Sequence, residues 1–165
     1  MPDEPKETGA DLFIVDNSDE NWKVANYLRE WASISSQFDI ATGYFEIGAL
    51  LALNGEWQKL DKIRLLMGDE VSKRTKNAFE EGLSEIKEKL DLSIEKEKDQ
   101  NDFLDGVPAI VDALQTNKIE ARVYKKKKFH AKAYITHSNL KVVGSAALVG
   151  SSNFTHPGLH QNIEL

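Results

Sequence analysis

The 165-residue sequence predicts an α/β fold, in which a mixed β-sheet is covered by helices to form an α/β sandwich. Short apolar runs, many of them closed by a glycine or a polar turn, alternate with segments of helical periodicity. The last three strand-like runs follow one another closely, with a hairpin or loop at "THSNLK". No break in composition divides the chain. We therefore expect one domain over residues 11–165, preceded by a flexible leader at 1–10.

The elements are predicted in the order β-α-β-α-β-α-α-β-β-β. The first strand is 11–15, and Ser18 is predicted to cap a helix whose apolar positions step by three and four residues. The next elements are a strand at 38–45 that ends near Gly43, a short helix in "IGALLAL" and a strand at 62–68. They are followed by an amphipathic helix at 71–98, with Phe79, Leu83, Ile86 and Leu90 on one stripe, and by a helix that begins near Pro108. The last three strands are predicted in "IEARVY", "FHAKAYIT" and "AALVGSSNF". The final "NIEL" resembles a strand cut short, so we expect a longer polypeptide.

Composition limits the classes of protein that the sequence fits. There are no cysteines, which excludes disulfides and thiolate metal sites and agrees with a reducing cytoplasm. No run approaches the roughly 18 apolar residues of a membrane span. The net charge of −6 argues against a general nucleic-acid binder. From Lys118 to Lys132, however, seven basic residues stand against one acid, which creates a local positive field that suits an anion.

The run "FHAKAYIT" places a histidine and a lysine, both suited to bind or attack an anion, next to this positive field. If the run is a strand, side chains alternate, so His130, Lys132 and Tyr134 share one face. Ala131, Ala133 and Ile135 share the other face and are expected to pack against helices. A lysine neutralises phosphate oxygens, and a neutral histidine offers a ring nitrogen as nucleophile or base. The pair therefore predicts a site for an anionic substrate.

Two later segments supply further candidate groups. In "GSSNFT", the side chains of Ser151 and Asn153 are small hydrogen-bond donors at a strand end, and an asparagine N–H serves a phosphoryl oxygen without adding charge. In "NIEL", the carboxylate of Glu164 is suited to fix the tautomer of a histidine. A metal site built from His130, His137, His156 and His160 is not expected. His137, His156 and His160 are predicted to be surface residues near loops.

Taken together, the motifs resemble the signature of the phospholipase D superfamily, which reads H-x-K, four residues, D, and then G-S-x-N. His130, Lys132, Gly150, Ser151 and Asn153 match it. "GSSNFT", "PGL" and "NIEL" resemble the nuclease-like branch. "FDIATGYFEIGAL" and "KIRLLMG" resemble the first half of such domains at the amino end of certain bacterial helicases and in restriction-type endonucleases. One position departs from the signature, because His137 stands where the family has aspartate.

The resemblance implies a phosphodiester hydrolase, a nuclease that requires neither metal nor cofactor and acts on nucleic acid, with DNA as the expected substrate. His130 would be the nucleophile or the general acid, while Lys132 and Asn153 would hold the non-bridging oxygens. Ser151 would add a hydrogen bond there, and Glu164 would orient His130.

The family brings two motif copies to one site, and this chain has a single His-x-Lys. We therefore expect a homodimer with the site at its two-fold axis, and a C-terminal ATPase, helicase or other domain beyond this chain. Four lysines, Lys125, Lys126, Lys127 and Lys128, belong to no motif. They are expected either to track a nucleic-acid backbone or to form an exposed charged loop.

Two other functions remain open at this stage. One is a catalytically degenerate dimerisation or DNA-binding module, which His137 and the acidic net charge favour. The other is a lipid phosphodiesterase, which the lack of an apolar or amphipathic docking stretch disfavours.

Overall fold

The computed structural model describes residues 15, 17–18, 23–68, 106–124 and 126–161. In chain order its elements are α1 (Val24–Ser33), β1 (Ser35–Thr42), α2 (Ile47–Ala52), a 3₁₀ turn (Trp57–Lys59), β2 (Lys62–Met67), α3 (Val107–Gln115), β3 (Ile119–Val123), β4 (Lys132–Ser138), β5 (Ser145–Val149) and α4 (His156–His160). The predicted leader, the helix at 71–98, the final strand and all of the first strand except Val15 lie outside these residues.

The sheet is mixed, as the sequence predicts. Its strand order is β3-β2-β1-β4-β5, with β1, β2 and β3 parallel and β4 antiparallel to both of its neighbours. In the register, Thr42 stands opposite Met67 on one side and Lys132 on the other. The ends of β1, β2 and β5 therefore meet the start of β4 at one edge of the sheet, which we call the site edge.

One face of the sheet forms the core with the helices. Phe38, Ile40, Ile63, Leu65 and Tyr134 point into it and are at most 2% exposed. The helices α1, α2, α3 and α4 contribute their apolar sides to the same cluster. Burial of these side chains is the main favourable term for the fold, at about 25 cal/mol per Å² of apolar surface.

The start of α1 differs from the prediction. The helix begins at Val24 and its N-cap is Lys23, which makes no side-chain cap bond, so Ser18 is not the cap. Instead the backbone N–H of Val24 donates to Oδ1 of Asn17 at 2.9 Å. Asn17 also donates through Nδ2 to the carbonyl of Gly158 in α4, at 2.9 Å, and so joins the two helices. An asparagine seven residues before the helix thus takes the capping role.

The two faces of β4 are also the reverse of the prediction. Lys132, Tyr134 and Thr136 point to the helix-covered core, where each is buried. Ala133 and Ile135 are half-buried and line an open groove of the opposite face, together with side chains of β1, β2 and β3. The reason is the register, because Tyr134 pairs with Ile40 of the core face. An aromatic ring with a satisfied hydroxyl fills the core better than an alanine would.

Candidate active site

The predicted His-x-Lys pair lies at the site edge. β4 begins at Lys132, so His130 precedes the strand by two residues instead of lying within it. The side chain of His130 is exposed, whereas Lys132 is 7% exposed and its Nζ is buried. The imidazole is therefore accessible to solvent, whereas the ammonium lies beneath the surface.

Two glycines allow the His130 segment to sit against the strand ends. The N–H of Gly43 donates to the carbonyl of Ala131 at 2.7 Å. A Cβ added to Gly43 would lie 2.9 Å from the carbonyl oxygen of Phe129, 3.2 Å from Cα of His130 and 3.6 Å from Oδ1 of Asn153. Gly68 is tighter still, since a Cβ there would overlap the carbonyl oxygen of Gly43. Backbone segments from three parts of the chain thus meet without a side chain between them.

Hydrogen bonds at Gly150, Ser152 and Asn153 hold the G-S-x-N segment at the site edge. The N–H of Gly150 donates to the carbonyl of Lys132 at 3.2 Å. The hydroxyl of Tyr134 donates to the carbonyl of Ser152. The backbone N–H of Tyr44 donates to Oδ1 of Asn153 at 3.1 Å. Because Oδ1 is engaged in this way, the amino group of the carboxamide is the donor that remains for a ligand.

Phe154 fixes the same segment to the core. Its ring is fully buried, stacks on Phe45 with centroids 5.8 Å apart, and contacts Phe38 and Tyr134. Its carbonyl accepts a hydrogen bond from the N–H of Glu46 at 3.0 Å. Aromatic packing of Phe154 therefore holds the loop that carries Asn153 against the core.

The other predicted site residues have separate outcomes. Ser151 is half-buried in the anchored loop, close to Asn153 in sequence. Glu164 and Lys125 lie outside the described residues. Lys126, Lys127 and Lys128 are exposed, and the rings of Tyr124 and Phe129, 5.4 Å apart, close the base of their loop. The three lysines are close to His130 in sequence.

His137, the departure from the family signature, faces away from Lys132. An offset of five residues along a strand reverses the side, so His137 lies on the open face. Its Nε2 is 2.8 Å from Oδ2 of Asp39, and its Nδ1 is 3.1 Å from Oγ of Ser145. Arg64 also binds the Asp39 carboxylate with both Nε and a terminal nitrogen. This histidine is thus part of a cross-strand polar network and is not the simple surface residue that we predicted.

The network perturbs the ionisation of Asp39. Burial raises the pKa of its carboxyl, but hydrogen bonds from Arg64, His137 and Gln37 outweigh burial and lower the pKa from 3.8 to about 2. A carboxyl with a lowered pKa stabilises the fold fully above its unfolded pKa, and this contribution is lost as the pH falls from 3.8 towards 2. The expected contribution is at most about 2 kcal/mol, because Arg64 is largely exposed to solvent.

Replacing Asp39 by Asn should therefore destabilise the protein at pH 6 and cost progressively less as the pH falls through this window. Urea unfolding of both proteins between pH 6 and pH 2.5 measures the difference. Asp61→Asn, at an exposed position, is the matched control for removal of a carboxylate. A difference between wild type and Asp39→Asn that is independent of pH would contradict the assignment.

The two remaining histidines are neighbours on α4. His156 and His160 have the i, i+4 spacing of a helix, which was not recognised in the sequence, and their rings stack with centroids 4.5 Å apart. His160 is half-buried, and burial lowers its pKa.

In the part of the chain that the structure describes, no group of three or more His, Cys, Asp or Glu side chains is arranged to hold a metal ion. Among the same residues, no helix is long and apolar enough to cross a membrane.

Three residues that build the site edge were not predicted from the sequence: Thr42, Tyr44 and Gly68. The strand ends near Gly43 and Gly68 were predicted, but their contact with the His130 segment was not. The close approach at Gly68 had a signal, a glycine directly after an apolar run, but the His130 segment that approaches it lies about sixty residues further along the chain.

Residues 27–165 match the model of the family described as "Cardiolipin synthase, PLD-like domain". The chain belongs to this family of phospholipase D-like domains, which confirms the resemblance inferred from the motifs. A comparison with curated proteins finds no significant match.

Among solved structures, the chain is similar to yeast tyrosyl-DNA phosphodiesterase and to a mutant of yeast tyrosyl-DNA phosphodiesterase 1. The mutant is 13% identical with a TM-score of 0.43, and the match covers 78% of this chain and 24% of that one. The other structure is 13% identical with a TM-score of 0.40, and the match covers 74% of this chain and 22% of that one. The chain thus spans about a quarter of the length of these structures.

Proposed function

We propose that the chain is a metal-independent phosphodiesterase domain that cleaves DNA through a phosphohistidine intermediate. The observation that carries the proposal is the convergence of His130, Lys132 and Asn153 at the site edge, around Gly43. An exposed imidazole, a buried ammonium and an anchored amide donor together suit a phosphodiester. Membership of the phospholipase D-like family supports the same class of reaction.

Each residue has a role in the proposed reaction. A ring nitrogen of His130 attacks phosphorus; a P–N bond forms while the bond to the leaving oxygen breaks, and a second histidine gives that oxygen a proton. Lys132 and Asn153 bind the non-bridging oxygens, where negative charge accumulates. Water then attacks phosphorus, transfers its proton to the second histidine and displaces His130. Ser151 adds a hydrogen bond to the phosphoryl group, and Glu164 orients His130.

The second histidine in this proposal is His130 of a second copy. One imidazole cannot attack phosphorus from one side and protonate the leaving oxygen on the opposite side in the same step. A two-fold axis beside His130 brings two copies of the same residues to one phosphorus. A helicase or restriction-type protein is the proposed larger context, with the partner domain beyond this chain.

The deciding experiment is cleavage in excess EDTA. The protein, in the longest form that expresses, is incubated with single- and double-stranded DNA and with bis(p-nitrophenyl) phosphate, a generic phosphodiester. His130→Ala protein, purified identically, controls for a contaminating nuclease. Cleavage that survives EDTA and requires His130 supports the proposal. Activity that appears only with a divalent metal would overturn the mechanism.

The four lysines at 125–128 are proposed to guide the DNA backbone to His130. Replacing 125–128 by alanine should weaken DNA binding and flatten its dependence on salt, by about 0.7–0.9 in the log–log slope for each phosphate that the variant no longer neutralises. Fluorescence anisotropy between 50 and 300 mM salt measures both quantities. Lys141→Ala, exposed in the β4–β5 hairpin at the opposite edge, is the control. Unchanged affinity and slope would mean that the lysines are only a solvated loop.

A non-catalytic DNA-binding or dimerisation module is the second candidate. The observation that favours it is His137, which stands where the family has aspartate and is engaged with Asp39. DNA binding without EDTA-resistant cleavage of either substrate would support this candidate and refute the enzyme.

A further inference from the structure

Thr42, the last residue of β1, occupies a central position among the groups of the site edge. It is fully buried on the core face, and in the register it stands directly opposite Lys132. Directly paired side chains on antiparallel strands have Cβ atoms about 5 Å apart. Thr42 is therefore a neighbour of the ammonium that we propose to bind phosphate, although no part of its own side chain reaches the surface.

The hydroxyl of Thr42 makes two hydrogen bonds of opposite sense. It donates to the carbonyl of Tyr44 at 2.8 Å and accepts from the N–H of Phe154 at 3.0 Å. Tyr44 is the residue whose own N–H holds Oδ1 of Asn153, and Phe154 is the residue that follows Asn153. A single hydroxyl thus joins both backbone segments that determine where the carboxamide of Asn153 points.

The geometry points to Thr42 as a positioning residue for the phosphoryl-binding amide, which is an inference that rests on the proposed function. Its hydroxyl sets the distance between the Tyr44 and Phe154 backbones and thereby aims Nδ2 of Asn153 at the non-bridging oxygen. Thr42 touches neither substrate nor reacting atoms and acts only through Asn153. A valine at this position keeps the shape but can neither donate nor accept. A serine keeps both bonds.

A double-mutant cycle tests this inference with bis(p-nitrophenyl) phosphate as substrate. Thr42→Val should lower kcat about tenfold with little change in KM, because the bond from Asn153 strengthens as charge develops in the transition state. Thr42→Ser should recover most of the rate. In an Asn153→Ala background, Thr42→Val should have almost no further effect, since the group that it positions is gone. Losses that multiply independently would overturn the inference.

A second measurement separates this inference from the proposed function. ¹⁵N relaxation of the side-chain amide of Asn153 should show an ordered group in wild type and in Thr42→Ser, and a mobile one in Thr42→Val. This result is expected whether or not the protein cleaves phosphodiesters. An amide that stays equally ordered in Thr42→Val would refute the role of Thr42, whereas absent cleavage alone would refute only the enzyme. If the valine variant does not fold, Thr42→Cys, with a weakly bonding thiol of similar size, replaces it in both experiments.

Discussion

Replacement of His130 by alanine is expected to reduce EDTA-resistant cleavage at least about 1000-fold while leaving the fold intact. The rate falls because loss of a catalytic nucleophile removes the covalent path and leaves only electrostatic stabilisation and binding. The fold survives because the His130 side chain is exposed. Initial rates on bis(p-nitrophenyl) phosphate and on DNA, with circular dichroism and thermal unfolding on the same samples, measure both effects.

His156→Ala is the matched control, since it removes another exposed histidine of the described chain and should keep most of the activity.

A mixing experiment tests whether two copies of His130 act at one site. If each site requires His130 from two copies, then co-refolded wild-type and His130→Ala chains should show activity that follows the square of the wild-type fraction. A linear dependence would mean that each chain acts alone, and the proposed second histidine would then have to be sought elsewhere.

Replacement of Gly68 by alanine is expected to destabilise the protein by about 1–3 kcal/mol and to displace the His130 segment. A methyl group there would overlap the carbonyl oxygen of Gly43, which is backbone and has no rotamer by which to move away. The carbonyl oxygen of Phe129, at 3.4 Å from the added atom, leaves little room for adjustment. Chemical denaturation measures the loss of stability, and cleavage assays measure the displacement.

Gly150→Ala is the control for Gly68→Ala. Gly150 also lies at the site edge, but a Cβ added to it would meet nothing within 4 Å. Its stability should stay within about 0.5 kcal/mol of wild type, as is usual for surface substitutions. Equal losses in the two variants would mean that the contact with Gly43 does not account for the effect.

The strands were predictable because each is marked within a few residues of sequence. The apolar run before Gly43 and the one before Gly68 correspond to β1 and β2, and the helix predicted to begin near Pro108 is α3. The His-x-Lys and G-S-x-N motifs were likewise visible, because both the residues and their spacing are local signals. Both motifs lie within residues 27–165, which match the family model.

The faces of β4 and the role of His137 were not predictable in this way. Alternation tells which side chains share a face, but it does not tell which face the helices cover. Alanines and an isoleucine suggested the core side, yet the sheet places Tyr134 there, with its hydroxyl satisfied by Ser152. His137 acquires its partner Asp39 from a strand about a hundred residues earlier, and no local pattern records that contact.

The hydrogen bonds that join the G-S-x-N loop to Thr42 and Tyr44 also determine at what stage of synthesis the candidate site can form. Tyr44 and Asn153 are 109 residues apart in sequence, and Thr42 and Phe154 are 112 apart. During synthesis, β1 therefore emerges long before the loop that completes the site edge. Most of this domain therefore emerges from the ribosome before the site edge is complete. Under the proposed function, cleavage would begin only after the β4–β5 hairpin has docked.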